Sequence, residues 1–149
     1  MKGERLMSIA KVLLVDDEIP FVEAMSRRLK KRDIDILTAF SGAGALDILE
    51  NDGSVETVIL DVKMPGMDGI KTLGEIRKRF PLVEVIMLTG HATVETGIEG
   101  MKLGAFDYLM KPCDMDVLTD KLKEAVAKKR KHEEKIIEAR MKEITSRRA

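Results

Sequence analysis

The sequence predicts a doubly wound α/β sheet with helices on both faces, and two observations carry that prediction. Short apolar runs alternate along the chain with segments whose apolar residues recur at helical spacing, the pattern of a parallel sheet built from strand-helix units. Four of the runs also end directly on a polar, chemistry-bearing position: Val12 to Val15 before Asp16 and Asp17, Val58 to Leu60 before Asp61, Val85 to Leu88 before Thr89, and Phe106 to Met110 before Lys111. Parallel strands turn their carboxyl ends to one edge, where ligands of such sheets bind. The four positions are therefore expected to converge.

Each element has a local justification. Lys11 to Val15 reads as a first strand, almost unbroken in apolar character and so covered on both faces. Pro20 suits the first turn of a helix, and Phe21, Val22, Met25 and Leu29 continue it at helical spacing towards Lys31 and Arg32. Ile34 to Ala39 forms a second strand, Ser41 caps a helix running to Glu50, and Asp52-Gly53 makes a turn. After Val58 to Leu60, the turn-forming stretch Met64-Pro65-Gly66-Met67-Asp68-Gly69 leads into a helix from Ile70 to Phe80, ended by Pro81. A strand at Val83 to Leu88, a helix at Thr93 to Leu103, a strand at Phe106 to Leu109 and a long helix from Asp114 complete five strands and five helices. Gly97 and Gly100 weaken the fourth helix by roughly 1 kcal/mol each relative to alanine, which marks it as an element able to move.

Composition narrows the functional class. The 149 residues hold 26 Lys+Arg against 26 Asp+Glu, so global charge favours neither nucleic acid nor membrane. Residues 1–126 carry 17 basic against 22 acidic side chains, and residues 127–149 carry 9 against 4. The expected organisation is a lead at 1–9, a domain at 10–126 and a basic amphipathic helical extension or linker at 127–149. The single cysteine, Cys113, fits a reducing compartment. No run approaches the roughly 20 apolar residues of a membrane span, and the first residues lack the apolar stretch of a signal peptide. A cytoplasmic location is expected.

The chemistry follows from the convergence. Asp16, Asp17 and Asp61 would bring carboxylates together, and neighbouring carboxylates repel unless a hard cation neutralises them. Magnesium suits an all-oxygen donor set and retains waters and phosphate in its shell. Lys111 adds a fixed ammonium and Thr89 a hydroxyl. Metal, ammonium and hydroxyl around one carboxylate make a clamp for a phosphoryl group, with Asp61 as the nucleophile.

These residues resemble the receiver domain of two-component response regulators over residues 10–125. The resemblance rests on Val12-Leu13-Leu14-Val15-Asp16-Asp17-Glu18, Leu60-Asp61-Val62-Lys63-Met64-Pro65-Gly66-Met67-Asp68-Gly69, Leu88-Thr89-Gly90 and Tyr108-Leu109-Met110-Lys111-Pro112. The stretch from Thr89-Gly90-His91-Ala92 to Tyr108 is most similar to receivers of the nitrogen-regulator class, which often precede an ATPase and a DNA-binding domain. The resemblance implies a flavodoxin-like strand order 2-1-3-4-5. It implies Asp61 as phosphoacceptor, Mg2+ held directly by Asp17, Asp61 and the Lys63 carbonyl and through water by Asp16, and phosphoryl oxygens held by Thr89, Lys111 and the amides of Val62 and Gly90. It further implies a cis bond at Lys111-Pro112 and a switch in which Tyr108 turns inward as Thr89 is drawn to the phosphate. Lys63 and His91 flank the path of hydrolytic water in the family. The implied donor is a sensor histidine kinase or phosphotransfer protein.

Other readings compete on particular residues. A flavin site on a related sheet would want a Ser, Thr and Gly loop after the first strand, where Asp16-Asp17-Glu18 stands. A phosphatase with an aspartyl intermediate would want two alternating aspartates at its first strand, which Asp61-Val62-Lys63 does not supply. Met64, Met67, Met87, Met101 and Met110 read as core and loop filling, and His91 and His132 as solvated side chains. In the extension, Ile136, Ile137, Met141 and Ile144 form an apolar stripe among Lys, Arg and Glu, as a helix with a partner would. Lys129 and His132 interrupt a heptad seam. The stripe fits either a linker to a further domain or a homodimer contact, through this helix or the 93–126 face. The cluster Lys128 to Lys131 has no nucleic-acid recognition motif around it.

Overall fold

The computed structural model describes residues 9–63, 68–90 and 93–148. Met64, Pro65, Gly66, Met67 and His91, singled out above, lie outside the described residues, as does most of the lead. Five strands, β1 (Ala10–Val15), β2 (Ile34–Ala39), β3 (Thr57–Leu60), β4 (Glu84–Thr89) and β5 (Asp107–Met110), alternate with α1 (Ile19–Lys30), α2 (Gly42–Asn51), α3 (Gly69–Arg79), α4 (Val94–Lys102) and α5 (Met115–Arg148). All pairings are parallel, in the order β2-β1-β3-β4-β5. The element boundaries fall within about two residues of the expectation, the shift that frayed ends produce.

Alternation along each strand divides the apolar side chains between two layers. Leu13, Val15, Val58, Leu60, Val85 and Met87 face α2 and α3, and their interdigitation with Leu46, Leu49, Leu73 and Ile76 makes one core. Val12, Leu14, Ile59, Ile86 and Leu88 face the other way, against Val22 and Leu29 of α1 and Leu118, Leu122 and Ala125 of α5. This is why the inner strands read as continuous apolar runs: both faces of the sheet are dry.

Capping explains where the helices begin. Ser41 Oγ accepts from the Gly44 amide, and Asp68 Oδ1 accepts from that of Lys71. Thr93 and Thr96 form a reciprocal capping box at the start of α4, satisfying amide groups that have no partner within the helix.

The extension is continuous with the domain. The first part of α5 packs on the sheet, and the contact runs past residue 126, because Lys129 is buried and pairs with Glu133 at 3.0 Å. Arg130 donates two hydrogen bonds to the Glu56 carboxylate, at 2.8 and 3.0 Å, and a third to the Ile9 carbonyl at 3.2 Å. Lys128 lies 3.6 Å from the buried carboxylate of Glu84. Lys129 thus belongs to the packed part of the helix and not to a seam beyond it. Further on, Ile136, Ile137, Met141 and Ile144 are exposed.

The two glycines of α4 turn out to differ. A Cβ on Gly100 would lie 2.5 Å from Met87 Sδ, so this position is kept small to let the helix close on the sheet. A Cβ on Gly97 would meet the Tyr108 ring at 3.8 Å, an ordinary contact. Gly97→Ala should therefore stabilise the domain by about 0.5–1 kcal/mol through helix propensity. Gly100→Ala should destabilise it by about 1 kcal/mol, overpacking outweighing the same propensity gain. Urea midpoints at unchanged m-value read both signs, and equal shifts in one direction would contradict this account.

Candidate functional site

The site is assembled at the carboxyl ends of the strands, with Asp16, Asp61 and Lys111 one residue beyond β1, β3 and β5 and Thr89 the last residue of β4. The Asp61 amide donates to the Val15 carbonyl, that of Asp16 to Ala39 and that of Lys111 to Thr89, at 3.0, 3.1 and 2.9 Å. These bonds continue the sheet ladder past the strands and fix the backbone from which each functional side chain projects. Asp16, Asp61 and Thr89 are all buried, at 1%, 3% and 0% exposure. Two of the expected positions meet directly, Lys111 Nζ reaching Asp16 Oδ2 at 2.6 Å, and Glu18 Oε1 lies 3.2 Å from the same nitrogen.

The β1–α1 turn decides which acids face inward. Asp16 Oδ1 accepts from the Glu18 amide at 2.9 Å, a side chain to main chain turn that folds Glu18 back over the pocket. Ligand atoms of Asp16, Glu18 and Asp61 lie within 4.8 Å of one another. Asp17 is exposed and stands outside this trio. Glu18, although exposed itself, adds a third carboxylate to Asp16 and Asp61, one that the expected set of Asp16, Asp17 and Asp61 did not include. Lys63 is exposed in the next loop.

Charge in the pocket is unbalanced. Burial pushes the Asp16 carboxyl above the ordinary range against the hydrogen bonds from Lys111 and the Glu18 amide, and the neighbouring Asp61 adds to the rise. For Lys111, burial works to lower the pKa, but the hydrogen bond and charge of Asp16, together with Asp61 and Glu18, raise it overall. Two buried carboxylates thus share one ammonium. Asp61 Oδ1 is buried with no hydrogen-bond partner among the described residues, and such an oxygen is costly unless a ligand satisfies it. An all-oxygen acidic trio with an orphaned buried oxygen fits a hard divalent cation.

Several residues escaped the sequence reading. Gly69 opens α3 directly against the Asp61 backbone: its amide donates to the Val62 carbonyl, and a Cβ there would fall 2.1 Å from the Asp61 carbonyl oxygen. The ring of Phe21 lies under Lys111 Nζ, 4.0 Å from centroid to nitrogen. Thr96 Oγ1 is 2.7 Å from the Tyr108 hydroxyl, tying that half-buried aromatic to the capping box of α4. A Thr-x-x-Thr spacing signals the cap in advance. The Phe21 contact bridges residues far apart in the chain and has no local signal. The Lys111–Pro112 peptide is cis.

Comparison with known proteins agrees with this geometry. Residues 12–123 match the family model of the response regulator receiver domain. An NtrX-like response regulator of Rickettsia bellii is 40% identical over 121 residues, covering 80% of this chain and 25% of the relative. The transcriptional regulatory protein ZraR of Escherichia coli is 38% identical over 116 residues, or 78% of this chain and 26% of the relative. The chain therefore spans about a quarter of the length of these curated relatives. Among solved structures, a CheY-like receiver domain protein from Methanospirillum hungatei superposes with a TM-score of 0.79 at 28% identity, covering 84% of this chain and 99% of that one. The receiver domain of NtrX from Brucella abortus gives 0.73 at 30% identity, over 78% and 98% of the two chains. With its sheet order, its strand-end site and these relatives in agreement, the chain belongs to the response regulator receiver domain family of two-component signalling.

Proposed function

We propose that this domain accepts a phosphoryl group on Asp61 from a sensor histidine kinase or phosphotransfer protein and passes the change to a partner through its α4–β5 face. The observation that carries the reading is the buried Asp61 Oδ1, without a hydrogen-bond partner among the described residues, beside Asp16 and within the field of Lys111. In the transfer, a carboxylate oxygen of Asp61 attacks phosphorus as the phosphorus–nitrogen bond of the donor phosphohistidine breaks. The imidazole nitrogen keeps the electron pair and takes a proton, and an acyl phosphate forms on Asp61. Lys111 balances charge on the phosphoryl oxygens, and the Thr89 hydroxyl with the amides of Val62 and Gly90 donates to them.

The cation would be held directly by Asp61, Asp17 and the Lys63 carbonyl and through water by Asp16, the set that the family resemblance assigns. Magnesium bound there supplies the positive charge that two buried carboxylates and a phosphoryl group together require. Lys111 is pre-placed on Asp16 and Glu18, so the same ammonium that steadies the resting acids is available when phosphate arrives.

The output reading rests on the neighbourhood of Tyr108. Val94, Ile98, Met101 and Met110 are exposed beside it, around an open hollow of about 810 Å³. Movement of Thr89 towards a phosphoryl group would free space for Tyr108, break its contact with Thr96 and shift α4. This face or the stripe of α5 would receive the partner, whether a second copy or a following domain. A cytoplasmic setting accords with this role, and no described helix is long and apolar enough to cross a membrane.

Incubation with acetyl phosphate and magnesium should add one phosphoryl group to the parent chain by intact mass and none to Asp61→Asn. An unmodified parent, with cation binding intact, would count against self-catalysed transfer. Because burial holds the Asp16 carboxyl above its ordinary range and a proton there competes with the cation, magnesium affinity should climb between a mildly acidic and a neutral pH. Asp16→Asn should weaken binding and flatten that dependence. Calorimetric titration at the two pH values decides this, and a pH-independent affinity in the parent would refute it.

A further inference from the structure

We infer that Phe21 is a positioning residue for Lys111, presenting its ammonium to a phosphoryl group at Asp61. The inference rests on the reading of Asp61 as phosphoacceptor. Phe21 lies in the first turn of α1, next to Pro20, and is partly buried against the α1–α5 side of the sheet. Its ring face stands 4.0 Å from Lys111 Nζ, well inside the range of a cation–π contact. Carboxylates of Asp16 and Glu18 engage the same nitrogen from other directions, at 2.6 and 3.2 Å. Only 14% of the lysine side chain is exposed. The ammonium therefore sits among two acceptors and one aromatic face.

The third contact differs in kind from the other two. A carboxylate binds an N–H along a fixed direction, whereas the ring quadrupole attracts the whole cation and demands no particular N–H orientation. Over the ring, Lys111 can trade Asp16 or Glu18 for an incoming phosphoryl oxygen while its charge stays compensated. An aliphatic side chain would keep water out equally well and would not hold the charge. During transfer the Asp61 oxygen–phosphorus bond forms as the donor's bond to phosphorus breaks and the leaving group carries off the electron pair. Placing Lys111 over the ring sets it beside the oxygens whose charge must be held throughout.

The test compares Phe21→Leu and Phe21→Tyr in the full chain, each with Lys111 and with Lys111→Gln, using acetyl phosphate and magnesium and following phosphorylation by intact mass. Phe21→Leu should slow phosphorylation roughly threefold to tenfold, the scale of a partly desolvated cation–π contact, and Phe21→Tyr should keep the rate within about twofold of the parent. With Lys111→Gln, Phe21→Leu should cost nothing further. The parent's Lys111 ε-methylene protons should be shifted upfield by the ring in NMR spectra, and should return to ordinary positions in Phe21→Leu. A Phe21→Leu rate equal to the parent's, an equal loss in the Lys111→Gln background, or an unshifted ε-methylene in the parent would each overturn the inference. The parent spectrum decides even if Phe21→Leu fails to fold. If the parent gains no phosphoryl group, the reading of Asp61 falls and this inference with it; if the parent reacts and Phe21→Leu reacts equally well, only the role of Phe21 falls.

Discussion

Two buried carboxylates sharing one ammonium is the constraint around which this domain is organised. Asp16 and Asp61 are held inside by main-chain bonds that extend the sheet beyond its strands, so neither can retreat into solvent. Their charge is answered by Lys111, which arrives from the far edge strand at 2.6 Å from Asp16. Burying charge is costly and only partly repaid by pairing, and the fold sustains that cost with two well-packed apolar layers on either side of the sheet. The imbalance that remains is the property a divalent cation and a phosphoryl group would use.

The opposite edge of the sheet follows a different logic. There, Glu56 and Glu84 meet Arg130 and Lys128 of the long helix, and the contacts serve attachment. Glu84 illustrates the limit of such pairing: it is buried, and its cations stand at 3.6 and 3.9 Å without a hydrogen bond among the described residues. Arg130 is the better anchor, since a bidentate guanidinium–carboxylate contact fixes both distance and angle.

Most of the architecture was legible because its signals are local. Apolar runs ending beside Asp16, Asp61, Thr89 and Lys111 announced the strands, and Ser41 announced its helix. What escaped was set by geometry between distant segments. Glu18 was not among the expected acids, and the hydrogen bond from its amide to Asp16 belongs to a turn that no local pattern announces. Gly97 and Gly100 look alike in sequence, yet Met87 stands against one and Tyr108 against the other. Phe21 and Lys111 are neighbours only because α1 and β5 close on the same edge. Lys129 seemed to interrupt a surface stripe, and the packing of the helix on the domain put it inside.

The clasp of Arg130 on Glu56 has a mechanical meaning. Glu56 lies just ahead of β3, and Asp61 just after it, so one short strand joins Asp61 to the point where the long helix is fastened. That span is roughly 17 Å of extended chain, held on both sides by pairing with β1 and β4. Beyond the clasp the helix projects for another 27 Å or so at the usual rise per residue. Because those turns continue one helix, the heading set at the Arg130 clasp decides where its far end lies.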